Sequence, residues 1–467
     1  MDRLNSIMSN GEPSIVVVYG RRRVGKTELV EQAFRGRNVL KLEGLEGRSE
    51  EEQMQAVLED LAEYLEQPLV QNLNLKSWRS IFKFIAEHIQ QGQVTLYLEE
   101  LQWLANYQDN LISDLKYVWD NYFRKNNDLI LVLCGSAPSF MINQVLHSKA
   151  LYSRSQFEFH VEEFSPIETQ DFLARNKSKQ EVMDAYLSIG GIPEYLKYLQ
   201  TNSSVFLSLC ENSFQKDANF VREYNRIFTS SLADNKHYRK TIEFLAKRKY
   251  ATRDEIAVHL KIRPGGTLSE LLEGLDQSGF IRRYTPYHLD EDSKLVRFAI
   301  DDNYLQFYFK FIKPQLRSIA SGAFRQNPSK ALKTTVYRKW LGFSFERFCR
   351  KYSWVIADIL GFGGINYRSG AYYRRSKDSE PGFQIDLVFD RDDRVLTICE
   401  MKYLESKCRP SVIDEVEVKL SRMKRAESKT VERVLISANG ADTNLLSRAY
   451  FDRVITLDDL MDTVYWR

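Results

Sequence analysis

The sequence predicts an α/β protein in three parts: a parallel sheet around a phosphate-binding loop with a helical lid, a winged helix-turn-helix, and a C-terminal α/β domain. Three observations carry this expectation. The string Gly20-Arg21-Arg22-Arg23-Val24-Gly25-Lys26-Thr27 stands between an apolar run and a helically spaced one. Apolar strands and helical stretches alternate as far as residue 200. Beyond that come three short helical stretches with two strands, and then a last strand-rich segment.

In chain order, Ser14–Tyr19 reads as a buried strand that Gly20 ends, and Thr27–Ala33 as a helix. Val94–Leu98 and Leu129–Cys134 are further apolar strands, with Leu111–Phe123 at helical spacing between them. Strands that are apolar throughout, rather than alternating, fit a parallel sheet covered on both faces. This first part spans residues 1–200. After Gly190-Gly191-Ile192-Pro193 the pattern turns helical. His237–Lys247, Thr252–Leu260 and Thr267–Ser278 read as helices, with Thr252 as an N-cap and Pro264-Gly265-Gly266 as a turn. Phe280–Tyr284 and Lys294–Ile300 follow as strands joined by the acidic stretch Leu289–Ser293. Three helices and a hairpin make a winged helix-turn-helix within residues 201–317. A linker is expected around Ser318–Ser329. The last part, residues 330–467, has a helix at Thr335–Tyr352 and another at Val412–Met423. Its strands are Gln384–Asp390, Val395–Met401, Val431–Ser437 and Arg453–Leu457.

Composition narrows the class. A chain of 467 residues is too long for one ordinary core. Its longest apolar runs fall far short of the ~20 residues of a membrane helix, and Met1–Pro13 lacks a secretory apolar stretch. The cysteines, 134, 210, 349, 399 and 408, are odd in number and form no CxxC, which argues against a zinc site or a disulfide framework. A cytoplasmic protein without membrane contact is expected. The net charge of +3 is small, but Lys313 to Lys377 holds 14 Lys and Arg against Glu346 and Asp358. Tyr337, Trp340, Phe343, Tyr352 and Trp354 are interleaved there. Such a mixture suits a phosphate backbone and exposed bases, which makes DNA the expected partner. The alternative is a solvated basic face over an aromatic core.

The octapeptide from Gly20 to Thr27 matches GxxxxGK[ST], the P-loop of an NTPase, between a strand and a helix as that motif requires. Gly20 and Gly25 let the backbone N–H groups of Arg21, Arg22, Arg23 and Val24 wrap phosphate oxygens, and the helix start at Glu28 adds its dipole. Lys26 is expected to reach the β- and γ-phosphates of ATP, and the Thr27 hydroxyl to coordinate Mg²⁺. Thr95-Leu96-Tyr97-Leu98-Glu99-Glu100 ends a strand in two carboxylates. Glu99 would hold the Mg²⁺ shell, and Glu100 would orient or deprotonate the attacking water. The plainer reading of both is a pair of helix-start acids. Ser136, in Cys134-Gly135-Ser136, is placed to sense the γ-phosphate. Arg154 is placed to stabilise transition-state charge, in cis or from a second subunit of a homo-oligomer. A strand-end turn and a surface arginine are the alternatives.

These residues resemble a known group. Tyr19 to Thr27, Glu99-Glu100-Leu101-Gln102-Trp103, Cys134-Gly135-Ser136 and Gly190-Gly191-Ile192-Pro193-Glu194-Tyr195-Leu196 are similar to the prokaryotic, largely archaeal-type ATPases, relatives of the AAA+ and STAND ATPases. The resemblance implies a winged helix after the ATPase and a restriction-endonuclease-like domain at the end. It also implies that Gly191 and Pro193 lie near the adenine side of the nucleotide. Glu99 departs from the usual Asp, and Tyr152-Ser153 from the Tyr-Gly common before Arg154.

Near the C-terminus, Asp386, Glu400 and Lys402 give D-x13-E-x-K across two strands. Alternate strand residues share a face, so Glu400 and Lys402 should project together towards Asp386. Two carboxylates could hold Mg²⁺, and Lys402 could orient the water or neutralise the phosphate. The pattern resembles the PD-(D/E)XK nuclease core, whose preceding helix commonly supplies a Glu that Glu346 matches. A sheet-surface salt bridge is the alternative. The expectation is an ATP-regulated, Mg²⁺-dependent DNA endonuclease, and its rival a nucleotide-switched DNA-binding or signalling protein with an inactive nuclease fold.

Overall fold

A computed structural model describes residues 4, 7, 11–148, 155–173, 177–230, 236–285, 287, 296–374, 382–423 and 429–466. The chain divides into two compact units that interleave in sequence. The first comprises residues 1–163, 225–239 and 265–279, and the second residues 164–224, 240–264 and 280–467.

The first unit is built on strands β1 (Ser14–Tyr19), β2 (Asn38–Glu43), β3 (Val94–Glu99), β4 (Ile130–Gly135) and β5 (Ser155–His160), in the order β2-β3-β4-β1-β5. Every neighbouring pair is parallel. Along β1, Ile15 and Val17 enter one apolar cluster and Val16 and Val18 another. Both faces are therefore covered, as the unbroken apolar run requires. β1, β3 and β4 lie within a residue of where the sequence puts them. β2 and β5 escape the sequence reading, because NVLKLE and SQFEFH carry charges into edge strands whose burial is partial.

In the second unit, β6 (Ala251–Thr252), β7 (Ile281–Tyr284) and β8 (Arg297–Ile300) form an antiparallel sheet in the order β6-β8-β7. The helix Arg253–Leu260 starts on a capping box between Thr252 and Glu255. The helix Gly266–Gln277, read as the third of the winged-helix trio, belongs to the first unit. The acidic stretch Leu289–Ser293 between β7 and β8 lies outside the described residues.

The C-terminal sheet has strands β9 (Tyr367–Arg374), β10 (Phe383–Arg391), β11 (Val395–Lys402), β12 (Thr430–Ser437) and β13 (Arg453–Ile455), ordered β13-β12-β11-β10-β9. β9, β10 and β11 pair antiparallel, while β11, β12 and β13 pair parallel. Three expectations are corrected. The linker at Ser318–Ser329 begins inside a helix, Leu316–Ala320, because Ile319 is buried, and it ends in a 3₁₀ turn from Pro328. Leu457 does not end a strand but opens a short helix capped by Thr456. Among the aromatics of the basic stretch, Tyr337 and Trp340 are core residues, whereas Phe343 and Trp354 are exposed. Part of that stretch is thus a basic face over an aromatic core.

Candidate functional site

The P-loop leaves β1 at Gly20, where a side chain would put its Cβ 2.1 Å from the Val161 carbonyl oxygen, so only glycine fits. Arg23 (φ 72°) and Gly25 (φ 94°) take left-handed conformations that curl the loop back over its own chain. Val24 anchors the loop in the interior. The helix Lys26–Ala33 starts on Gly25 with no side-chain cap, leaving its first N–H groups unclaimed by a capping side chain. Buried Lys26 donates to the carbonyl of Arg21 at 2.8 Å. Burial depresses the Lys26 ammonium below the usual lysine range, against the pull of Cys134, Glu100 and Glu99. Glu28 is exposed and accepts from Gln32 at 2.9 Å. Arg22 lies 3.7 Å from Glu46, with its guanidinium 5.5 Å from the centre of the Trp103 ring.

The two strand-end carboxylates diverge. Glu99 is buried, accepts the Thr27 hydroxyl on one oxygen and meets Lys41 at 2.6 Å on the other. Burial opposes the charge on Lys41, but its bonds to Glu99 and Glu31 raise its ammonium above the usual range. Glu100 has φ 50°, a rare left-handed conformation for a residue with a side chain. Its Oε2 accepts from Ser136 at 2.5 Å and from Gln102 at 2.6 Å. Gln102 also donates to Ser136 Oγ (3.1 Å) and accepts from the Ser136 N–H (3.2 Å), closing a three-residue network. The strand order explains the meeting. β4 lies between β1 and β3, so Ser136, which directly follows β4, stands between the loop and the carboxylates. Lys41 and Gln102 had no assigned role in the sequence reading. Gln102 sits in a quoted motif, but Lys41 is joined to Glu99 only through the β2–β3 pairing. Arg154 lies outside the described residues. Pro193 opens the helix Pro193–Lys197 in the second unit, and Gly191 there is packed so closely on Phe164 that a Cβ would lie 1.9 Å from its carbonyl oxygen.

A second cluster lies on the C-terminal sheet. The register that pairs Leu387 with Cys399 makes Asp386 and Glu400 the next residues across β10 and β11. The β9–β10 register slips between Ile385 and Val388, a bulge at Asp386 itself. Asp386 is buried and accepts the Met401 N–H at 3.2 Å. Burial first, then Glu400 and Glu346, push its carboxyl up to about 6. Glu400 is only 3% exposed and is held by Lys402 (3.1 Å) and by Lys419 (2.5 Å) from the helix Ser411–Leu420. Lys402 also meets Glu415 at 2.7 Å, and despite the opposing burial these carboxylates raise its ammonium well above the usual range. Glu346 turns to Arg350 at 3.5 Å, one helical turn on. Among the described residues no three His, Cys, Asp or Glu side chains are gathered closely enough to hold a metal. The expected ligand set of Glu346, Asp386 and Glu400 is therefore not assembled as one group, because Arg350 engages the helix carboxylate.

Residues 1–199 match the family described as ATPase domains predominantly from Archaea. Over 412 residues the chain is 25% identical to an uncharacterized protein of Methanocaldococcus jannaschii, a match covering 87% of this chain and 86% of that one. Among solved structures it is similar to a Walker-type ATPase of Pyrococcus abyssi, with a TM-score of 0.44 and 17% identity, over 66% of this chain and 94% of that one. It is also similar to the ORC2 protein of Aeropyrum pernix in its ADPNP–ADP complexes, with a TM-score of 0.43 and 13% identity, over 70% of this chain and 94% of that one. No helix among the described residues is long and apolar enough to cross a membrane. Residues 1–199 are an ATPase domain of the archaeal type.

Proposed function

We propose that ATP binding and hydrolysis in the first unit regulate or drive Mg²⁺-dependent cleavage of DNA by the C-terminal domain, which has the character of a restriction endonuclease behind a winged helix. The observation that carries the nuclease half is the buried pairing of Asp386 and Glu400 across β10 and β11, with Lys402 on the same face. Asp386 has a backbone N–H and Gln384 as its hydrogen-bond donors, so its charge is poorly compensated and a divalent cation would relieve it. The donors fit a hard cation, which would polarise the phosphodiester and supply hydroxide when bound. Lys402 would hold the attacking water or the phosphate oxygen.

In the ATPase, Lys26 and the N–H groups from Arg21 to Glu28 would bind the β- and γ-phosphates. The Thr27 hydroxyl and Glu99 carboxylate are already in contact, an oxygen pair suited to Mg²⁺, with Lys41 balancing the glutamate. Glu100 would take the proton of the attacking water, and Ser136, bonded to it, would sense the γ-phosphate.

A second reading has its own support: Glu400 is already matched by two lysines, as in a nuclease fold that binds DNA under nucleotide control without cutting it. Plasmid cleavage in Mg²⁺ or Mn²⁺, with and without ATP, separates the two. Cleavage should be lost in Asp386→Ala, whose ATP hydrolysis stays intact. Lys26→Ala should lose nucleotide binding, and with it any response of cleavage to ATP. Wild-type protein that binds DNA and never nicks it would leave the switch as the function.

A further inference from the structure

The strand-end carboxylate beside the P-loop threonine is held from β2, a strand that carries no part of the loop. In the β2–β3 register Lys41 lies opposite Tyr97, and Glu43 opposite Glu99. Residues two apart on a strand share a face, so Lys41 and Glu99 project to the same side of the sheet. Lys41 Nζ meets Glu99 Oε2 at 2.6 Å. It also meets Glu31 Oε1, on the helix Lys26–Ala33, at 3.0 Å. The Tyr97 ring lies beneath the same ammonium, its centre 5.6 Å away. One side chain thus joins β2, β3 and the helix that follows the P-loop, all within the first unit.

Glu99 needs such a holder. Its side chain is only 8% exposed, against 35% for Lys41, so the glutamate has little water to turn to. A glutamate also has one more torsion to fix than an aspartate. Here both of its oxygens are engaged. Oε1 accepts a hydrogen bond from the Thr27 hydroxyl, and Oε2 takes the lysine. Among the described residues Lys41 is the cation at ion-pair distance from Glu99, while buried Lys26 gives its hydrogen bond to the Arg21 carbonyl. The oxygen on the Thr27 side is therefore clear of the lysine. Carboxylates that ligate metals are commonly oriented by partners that do not touch the metal, and loss of such a partner costs about 10–100-fold in affinity.

We propose that Lys41 is a positioning residue of the ATPase: by holding Oε2 it presents Oε1 of Glu99, together with the Thr27 hydroxyl, as the oxygen pair for nucleotide-bound Mg²⁺. This rests on the reading that Thr27 and Glu99 hold Mg²⁺. The test is the calorimetric affinity of the full chain for a non-hydrolysable ATP analogue, in EDTA and in saturating Mg²⁺. Their ratio is the gain from the metal. Lys41→Met should lower the wild-type gain by roughly tenfold. Lys41→Arg, which keeps the charge, should preserve most of it. Binding in EDTA shows that a variant has folded. If Lys41→Met does not fold, Lys41→Gln is read in its place, with a loss in the same direction. Equal weakening in EDTA and in Mg²⁺ would make Lys41 a structural residue alone and overturn the proposal. A gain that stays the same or rises without the lysine would overturn it too. Glu99→Gln tells the two possible failures apart. If it keeps the full gain, the metal reading of Glu99 falls; if it loses the gain while Lys41→Met keeps it, only the role of Lys41 falls.

Discussion

Glu100 occupies a backbone conformation that costs on the order of 1 kcal/mol for a residue with a Cβ. The conformation turns its carboxylate onto Ser136 and Gln102, away from Glu99, which takes Thr27 and Lys41 instead. Adjacent acids thereby acquire separate environments, one against the P-loop threonine and one against Ser136. Glu100→Gln keeps the shape and both hydrogen-bonding neighbours but removes the carboxylate proposed as base. It should bind ATP as wild type does and turn it over at least ~100-fold more slowly. Gln102→Ala removes its bonds to Glu100 and Ser136 and leaves only their direct contact, so turnover should fall by about tenfold at constant nucleotide affinity. Single-turnover hydrolysis with a parallel binding titration checks both, and wild-type turnover in Glu100→Gln would disqualify it as the base. Lys26, Thr27, Glu99 and Glu100 are legible in the sequence because a phosphate-binding loop and a strand end impose local spacing. Gln102 and Lys41 are not, since their roles depend on which strands are neighbours.

At the scale of elements, the buried strands could be read because a two-sided parallel sheet demands unbroken apolar runs. β9 could not, because Tyr367–Arg374 looks basic and aromatic in sequence, as a nucleic-acid surface would. The helix Lys179–Ile189 shows what pattern reading misses altogether. Within the second unit it is tied to the C-terminal elements by Tyr403, which donates to Asp184 at 2.6 Å, and by the Ser188–Tyr337 hydroxyl pair at 2.7 Å. Tyr403 directly follows Lys402, so this helix is bound to the strand that carries the cluster. Burial raises the Asp184 carboxyl to about 6, with Glu181 and Glu405 adding to the shift and the Tyr403 and Gln180 bonds opposing it. A folded-state value above the unfolded one means that the protonated form is favoured by folding. That stability is fully present below the unfolded value near 3.8 and is lost as pH rises through about 6. Asp184→Asn keeps an acceptor for Tyr403 without a charge. Its stability should match wild type at about pH 4 and exceed it by roughly 1–3 kcal/mol at about pH 7.5. Denaturant melts at the two pH values measure this, and a difference that does not change with pH would refute it.

At the scale of the whole molecule, the ATPase family match ends at residue 199, yet the compact unit containing it does not. That unit takes up residues 225–239 and 265–279 as well. The helix Gly266–Gln277 buries Leu268, Leu271, Leu272 and Leu275. It packs against the short turn Pro138–Phe140, which follows Ser136 by two residues. Ser136 is thus backed by a helix more than a hundred positions further along the chain. Each fully buried leucine contributes about 1.5–3 kcal/mol relative to an exposed one. A chain cut after residue 199 keeps every P-loop and strand-end residue but loses this support. It should melt at lower temperature than the first unit does within the full chain. It should also bind ATP more weakly and hydrolyse it more slowly, because the Ser136–Glu100–Gln102 network rests on a turn that is no longer covered. Restoring residues 200–280 should recover part of the loss, while Leu271→Ala and Leu275→Ala in the full chain should reproduce part of it, each costing about 2–5 kcal/mol. Thermal melts and steady-state ATP hydrolysis on these four proteins and the unaltered full chain read the outcome. If the 199-residue piece hydrolyses ATP as fast as the full chain and melts at the same temperature, the later segments play no part in holding Ser136.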